Sequence, residues 1–261
     1  MPEWRRALVT GASSGIGEAF ARRLAAEGTD LVLVARGRDG LERVADHLRA
    51  RHGVAVEVLA TDLATPDGCA PAVDRLRDSD AVVDLLVNNA GIGTSGLFGE
   101  VDLDRELALI DLNITALVRL THAAVGGMRA RGHGGVINVS SLSSLQPYPN
   151  GANYGASKAY VTSFSKAIHT ELEPSGVRVL ALCPGFTRTS YHDAAGIRRT
   201  PIPDRLWLRP DEVAAEGLAA LRAGRSVRVV GVAYRAWAGL TKVVPDVLIR
   251  RLLARAGGNR T

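Results

Sequence analysis

Short apolar runs recur along the chain. Each is closed by a turn residue and followed by a longer stretch whose apolar positions return every three or four residues. Ala7-Leu8-Val9 opens the series and leads into a glycine-rich turn, then a helical stretch to about Glu27. Leu31-Val32-Leu33-Val34 comes next, with a helical stretch ending near Gly53. Further strands are expected over 54–59, 82–87, 135–139, 177–182 and 227–230, and helices over 66–78, 102–130, 153–173 and 210–223. Strands that alternate with helices imply βαβ units. Strands that are apolar throughout suit a parallel sheet buried on both faces. The pattern predicts one doubly wound α/β domain with seven parallel strands flanked by helices.

Two regions break this rhythm. Residues 188–209 carry Arg, His, Pro and Gly without strong periodicity. A segment of this kind reads as a lid or binding loop, with a plain connector as the alternative. Beyond Gly231, Trp237, Leu240, Val244, Val247, Leu248, Leu252 and Leu253 fall roughly on one helical side, interspersed with Arg235, Lys242, Arg250, Arg251 and Arg255. Pro245 is expected to break that segment. The expected organisation is therefore a domain over 1–233, with 188–209 as its lid, and an amphipathic C-terminal extension over 234–261. Three readings of the extension compete: packing over a cleft or a subunit partner, weak docking on an anionic membrane surface, and a frayed tail.

Composition narrows the function classes. With 46% hydrophobic residues in 261, the chain can bury a sizeable core. The net charge is +5, nearly all of the excess from Arg. No basic run is interleaved with aromatics, and aromatics make up only 5%, so a nucleic-acid platform is not expected. Cys69 and Cys183 lie far apart, with neither metal-ligand spacing nor a disulfide framework, and no metal is expected. His122 and His169 read as packing or surface residues, and His192, in the lid, as a residue that could touch substrate. The N-terminus runs straight into a strand and no apolar stretch reaches membrane-spanning length, so the expected location is cytoplasmic.

The first strand runs into Thr10-Gly11-Ala12-Ser13-Ser14-Gly15-Ile16-Gly17. Gly11 permits the tight turn, Gly15 lets the backbone approach a pyrophosphate, and Gly17 permits close packing of helix on strand. The helix starts here, so its N–H groups and positive dipole end face an anion. An acidic residue about 20 positions on usually accepts the ribose 2′-OH of NAD. In its place the second strand ends Val34-Ala35-Arg36. Arg binds a 2′-phosphate that an acid would repel, so the expected cofactor is NADP(H), with Arg36 as main contact and Ser13, Ser14 or Arg38 as helpers.

A second constellation carries chemistry. Tyr154 and Lys158 stand four residues apart at the start of a helical segment, and so share one helix face. A free tyrosine, with a pKa of about 10, holds its proton too tightly for fast exchange near neutrality. A neighbouring ammonium stabilises the phenolate and makes the tyrosine a usable acid. Asn138-Val139-Ser140-Ser141 ends the fifth strand, and ligands of open α/β sheets bind beyond strand carboxyl ends. That places Ser141 to hydrogen-bond a carbonyl or hydroxyl oxygen.

With these residues in order, the chain resembles the short-chain dehydrogenase/reductase superfamily, in its single-domain Rossmann-type branch. The resemblance is strong over about residues 6–190 and weaker over 210–231. It rests on Thr10 to Gly17, Asp62-Leu63, Asn88-Asn89-Ala90-Gly91, Asn113, Ser141, Tyr154 with Lys158, and Pro184-Gly185 followed by Thr187 and Thr189. It implies that Tyr154 is the acid in reduction and the base in oxidation. Lys158 would hold the nicotinamide ribose, Ser141 would orient the substrate carbonyl, and Asn113 would hold a water in a proton relay. Asp62, beside Leu63, would contact the adenine. Asn89, Ala90 and Gly91 would border the cofactor, and Pro184, Gly185, Thr187 and Thr189 would line its carboxamide and pyrophosphate.

Serines 140, 143 and 144 rival Ser141, which stands at the family's usual interval of 13 residues before Tyr154. The expected reaction is hydride transfer between NADPH and a ketone or secondary alcohol. The substrate is a small-molecule carbonyl of hydrophobic kind (3-oxoacyl, polyketide or steroid-like), weakly favoured by Leu142, Leu145, Tyr148 and Phe186, all of which could instead be core. By analogy the helices near 102–130 and 153–173 would pair subunits into a homodimer or homotetramer. The rival from another class is a non-catalytic dinucleotide sensor on the same fold.

Overall fold

A computed structural model of the chain describes residues 2–146, 148–189 and 203–241. Its seven strands are β1 (Arg6–Thr10), β2 (Asp30–Ala35), β3 (Val56–Ala60), β4 (Leu85–Asn88), β5 (Gly134–Val139), β6 (Val177–Cys183) and β7 (Val227–Val229). They form one sheet in the order β3-β2-β1-β4-β5-β6-β7, and every pairing is parallel. The helices are α1 (Gly15–Ala26), α2 (Arg38–His52), α3 (Pro66–Arg77), α4 (Leu103–Ile110), α5 (Leu117–Arg131), α6 (Ala152–Leu172), α7 (Pro210–Arg222) and α8 (Val232–Leu240).

The strands read as apolar throughout because both faces are covered. Successive side chains of a strand point to opposite faces. Ala7 and Val9 of β1, Leu31 and Leu33 of β2 and Leu180 and Leu182 of β6 pack against Phe20 and Leu24 of α1, Leu41 and Val44 of α2, and Val213 and Leu218 of α7. Leu8, Val32, Val34 and Val179 face the other way, against Ala72 of α3, Leu120, Ala124 and Met128 of α5, and Leu172 of α6. The result is three layers with two cores and one sheet between them.

The segment expected as one helix over 102–130 forms as α4, a π-helical turn at Asp111–Ala116, and α5. A π turn widens a helix by one residue and is frequent at functional sites. Here it carries Asn113, which is buried. The run Leu103–Arg131 is long and apolar enough to cross a membrane by length and composition. Its Leu109, Ala116, Leu117, Leu120 and Met128 are buried side chains of this domain.

The topology fixes where a ligand binds. After β3 the chain crosses back to lay β4 on the far side of β1. The turns that leave β1 and β4 therefore diverge to opposite faces and open a crevice at the carboxyl edge. Because all seven strands are parallel, the loops after β5 and β6 reach the same edge.

The segment after β6 is tied down at its base. Thr187 bridges Leu208, with Leu208 N–H donating to the Phe186 carbonyl at 2.8 Å and Arg188 N–H to the Leu208 carbonyl at 3.0 Å. Residues 190–202, with His192, lie outside the described residues, as do residues 242–261 with Val244, Pro245 and the remaining apolar positions of the extension. Helix α8 runs across residue 233, the expected boundary of that extension.

Candidate active site

The glycine turn is built by three different constraints. Gly11 and Gly15 hold φ of +65° and +60°, in the left-handed region that side chains disfavour. A Cβ on Gly11 would also lie 2.8 Å from Asn89 Nδ2. At Gly17 a Cβ would run into the Gly11 carbonyl oxygen, so α1 sits on the turn only because that position is bare. Ser14 precedes the helix in extended geometry, and its side chain makes no capping bond among the described residues. The first-turn N–H groups are thus left to an anion. Ile16 packs its side chain against the core, offering only its main chain to a ligand.

Thr10, at the tip of β1, ties this turn to the end of β4. Its Oγ1 accepts the N–H groups of Asn89 and Ala90, both at 2.9 Å, and donates to the Val87 carbonyl at 3.3 Å. Asn89 Nδ2 returns the link to the Thr10 carbonyl at 2.9 Å. Asn89 therefore braces the crevice, and Ala90 and Gly91 carry the chain along its wall. A Cβ on Gly91 would lie 3.0 Å from Asn113 Oδ1 and 3.5 Å from Lys158 Nζ, so the two predicted residues meet at this bare position.

Arg36 is exposed at the end of β2. Arg38 pairs loosely with Glu42 at 3.6 Å and is also exposed. Arg43 of α2 donates to the Ser13 carbonyl at 3.0 Å and faces Glu18 at 3.5 Å. That gives three cations at one end of the crevice, with Ser13 and Ser14 between them and the glycines. At the β3 end, Asp62 is exposed and its carboxylate accepts the Ala64 N–H at 3.1 Å. The cap of α3 is Thr65, which accepts the Gly68 N–H at 3.1 Å. Leu63 is buried in the core, so only its main chain can reach a ligand.

Asn113 is 1% exposed, and its amide is heavily engaged. Nδ2 donates to the Ile92 carbonyl at 2.9 Å and to Ser157 Oγ at 3.2 Å, while Oδ1 accepts the Ile92 N–H at 3.0 Å. Both amide hydrogens are used, and one Oδ1 acceptor position is left for a water.

The rival serines separate by direction. Ser140 is buried, donating to the Lys158 carbonyl at 2.8 Å and sharing a bond with Thr162 Oγ1 at 2.7 Å, so it fastens α6 to the sheet. Ser144 points toward the Cys183 thiol, 3.9 Å away. Ser141 caps a short turn by accepting the Ser143 N–H at 3.1 Å, and its hydroxyl lies 3.1 Å from Ser143 Oγ. Ser141 and Ser143 therefore remain as a neighbouring hydroxyl pair.

Tyr154 and Lys158 lie in the first two turns of α6, as their spacing predicts. Lys158 is 6% exposed; its Nζ donates to the Val139 carbonyl at 2.9 Å and lies 5.8 Å from the centroid of the Tyr154 ring. Burial is the main cause that pulls the Lys158 ammonium down to about 8, with the nearby Cys183 thiol opposing it. Tyr148 leans on Tyr154 with ring centroids 6.1 Å apart. Asn153, next to Tyr154, donates to the buried Glu106 of α4 at 2.8 Å. Gly151 and Gly155 leave room for the Tyr148 ring and its Cβ.

The segment after β6 closes the site. The Pro184 carbonyl accepts the Leu142 N–H at 2.9 Å. Gly185 lies against the ring of Tyr234 with no room for a Cβ, and Thr187 is buried, donating to the Gly185 carbonyl at 3.0 Å. Thr189 lies over Gly15, where a Cβ would be 3.0 Å from its Cγ2. All the predicted site residues thus sit on one edge of the sheet. Thr10 belongs to the glycine motif read from sequence, but its tie to the end of β4 was not expected, and Arg43, Ser157 and Tyr234 were not singled out at all. His169 is set apart from it, with Nδ1 2.8 Å from the Val179 carbonyl.

Comparisons with known proteins bear on the family and the fold. The family described as short chain dehydrogenase matches residues 5–198. A sulfoacetaldehyde reductase of Chromohalobacter salexigens is 38% identical over 186 residues, 70% of this chain and 73% of that protein. An acetoacetyl-CoA reductase of Shinella zoogloeoides is 35% identical over 185 residues, 71% of this chain and 75% of that one. Among solved structures, a short-chain dehydrogenase from Sphingobium yanoikuyae in complex with NADPH superimposes with a TM-score of 0.82 and 38% identity, covering 94% of this chain and 97% of that chain. The chain belongs to the short-chain dehydrogenase family and is an NAD(P)-dependent oxidoreductase acting between alcohols and carbonyls.

Proposed function

We propose that the protein is an NADP(H)-dependent ketone reductase in which Tyr154 gives the proton to the carbonyl oxygen. The observation that carries this reading is the buried Lys158 ammonium, anchored on the Val139 carbonyl and set 5.8 Å from the Tyr154 ring at the mouth of the crevice. A low-dielectric site strengthens the pull of that ammonium on a developing phenolate. Ser141 donates a hydrogen bond to the same carbonyl oxygen and polarises it. Asn113 keeps one acceptor position for a water, from which Tyr154 is reprotonated.

The bare turn at Gly11, Gly15 and Gly17 and the first turn of α1 fit a pyrophosphate. Arg36, with Ser13, Ser14 and Arg38, holds the 2′-phosphate, Asp62 and the Leu63 main chain border the adenine, and Asn89, Ala90 and Gly91 border the ribose side. Pro184, Gly185, Thr187 and Thr189 close over the other half. Bound there, the nicotinamide supplies the hydride.

The substrate is a hydrophobic ketone, of which a 3-oxoacyl thioester is one form. Leu142, Leu145, Tyr148 and Phe186 belong to neither core cluster and are half-buried on the crevice side of the sheet, which supports their lining a pocket. The domain extends over 1–233, with 188–209 as its lid. Leu103 and Leu107 of α4 and Tyr160 of α6 are exposed apolar residues, which favours assembly of a homodimer or homotetramer through these helices.

The test is consumption of NADPH or NADH over a panel of ketones graded in chain length and ring size, by the wild-type chain and by Arg36→Ala. NADPH is preferred, and Arg36→Ala raises its KM about tenfold or more while leaving the NADH value unchanged. A clear NADH preference that Arg36→Ala does not alter defeats the 2′-phosphate assignment.

A further inference from the structure

We propose that Tyr234 is a positioning residue for the cofactor: through this one side chain, helix α8 sets where the 184–189 segment lies over the crevice. The proposal rests on the cofactor reading above. Three observations converge on Tyr234. Its ring occupies the space where a Cβ of Gly185 would stand, so that glycine is bare because the tyrosine is there. Its hydroxyl donates to the Leu206 carbonyl at 2.8 Å. It is 8% exposed, and burial is the main cause that pushes its phenol up, so it stays a neutral donor at working pH.

These contacts join the two ends of the irregular 188–209 segment. Gly185 stands before that segment, under the Tyr234 ring, and Leu206 near its end, under the Tyr234 hydroxyl, so one side chain ties both. The tie continues along the backbone, where Leu208 pairs with Phe186 and Arg188. It ends at Thr189, whose methyl lies over Gly15 of the phosphate turn. A shift at Tyr234 is thus passed to the two places where 184–189 meets a cofactor.

Helix α8 is itself held against the domain. Glu216 of α7 binds Arg228 of β7 at 2.7 Å and Arg235 of α8 at 3.1 Å. Gly231, at φ +90°, starts the helix where a Cβ would lie 3.1 Å from both Tyr234 and Leu208. Tyr234 touches none of the reacting groups named above, and its hydroxyl is already spent on main chain. Its influence on turnover runs through the segment it holds.

The experiment uses the full chain, as wild type, Tyr234→Phe and Tyr234→Leu. NADPH affinity is read by fluorescence titration, KM and kcat with a ketone the wild type turns over, and melting temperature with and without NADPH. Tyr234→Phe keeps the ring on Gly185 and removes only the hydroxyl tie to Leu206. It weakens NADPH binding about fivefold or more, with kcat at saturating NADPH within about twofold of wild type. NADPH also raises its melting temperature less than it raises that of the wild type. Tyr234→Leu also takes the ring off Gly185 and shows the same split between KM and kcat, with a larger rise in KM. A lower melting temperature with NADPH affinity and KM unchanged in both variants overturns the proposal, because a purely structural contact behaves that way. Wild-type chain that binds neither NADPH nor NADH refutes the cofactor reading instead, and this proposal with it.

Discussion

Replacing Thr10 by Val tests whether one hydroxyl holds the crevice together. β1 and β4 pair only over Ala7–Val9 and Leu85–Val87, and beyond them the strands part toward the glycine turn and the Asn89 loop. Thr10 Oγ1 supplies the next rung from its side chain, accepting two N–H groups and donating to Val87. Valine has nearly the same volume, so the change creates no cavity. It strands the Asn89 and Ala90 N–H groups against a Thr10 side chain that is 1% exposed, at about 1–3 kcal/mol each. Water reaching the half-buried loop relieves part of this, leaving a net loss of about 3 kcal/mol. For a domain of this size that is a fall in melting temperature of about 6–12 °C. Scanning calorimetry on wild type, Thr10→Val and Thr10→Ser reads it directly. Thr10→Ser keeps the acceptor and recovers most of the loss. A Thr10→Val protein that melts within about 1 °C of wild type refutes the reasoning.

Gly17→Ala forces a methyl against the Gly11 carbonyl and to 2.6 Å from Asn89 Nδ2, so α1 must retreat from the turn; NADPH affinity in a titration falls about tenfold or more, and stability by about 1–3 kcal/mol. Lys158 carries a penalty of opposite sign to its catalytic value. Its folded value is lowered from 10.5 to about 8, so below pH 8 both the folded and the unfolded chain are protonated and burial of the charge costs about 3 kcal/mol. Between about 8 and 10.5 the folded chain sheds the proton that the unfolded chain keeps, and the penalty fades with rising pH. Cofactor-free Lys158→Met should therefore melt above wild type at pH 7, with the gap closing by pH 10; an equal gap at both pH values contradicts the burial account.

Sequence conveyed the strands because every central strand is buried on both faces and so reads as an unbroken apolar run. It misplaced the start of β4, where Ala81-Val82-Val83 are apolar but precede the sheet. The Asp78 carboxylate there accepts the Asp80 and Ala81 N–H groups in a turn, and pairing with β1 begins only at Leu85. The π turn around Asn113 left no trace in the periodicity, since one extra residue does not interrupt an apolar face. Tyr154 and Lys158 were legible because their partnership is local, four residues along one helix. The ties of Thr10 to Asn89 and of Tyr234 to Leu206 were not, because these partners lie 79 and 28 residues apart in sequence and only the fold brings them together. The run of serines shows the same limit. Spacing singled out Ser141, and the engagement of Ser140 with Lys158 and Thr162 needed coordinates to be seen.

If Tyr154 delivers the proton while Lys158 and the glycine turn hold the rest of the site in place, removing its hydroxyl stops the chemistry and spares binding. Tyr154→Phe removes one oxygen from a ring that still packs beside Tyr148. Single-turnover oxidation of bound NADPH by a ketone substrate is the direct measurement, made beside an NADPH titration of the same protein. NADPH affinity is expected within about threefold of wild type, with a reduction rate lower by about 10²–10⁴-fold. Reduction at near the wild-type rate, with NADPH bound normally, contradicts that role for Tyr154.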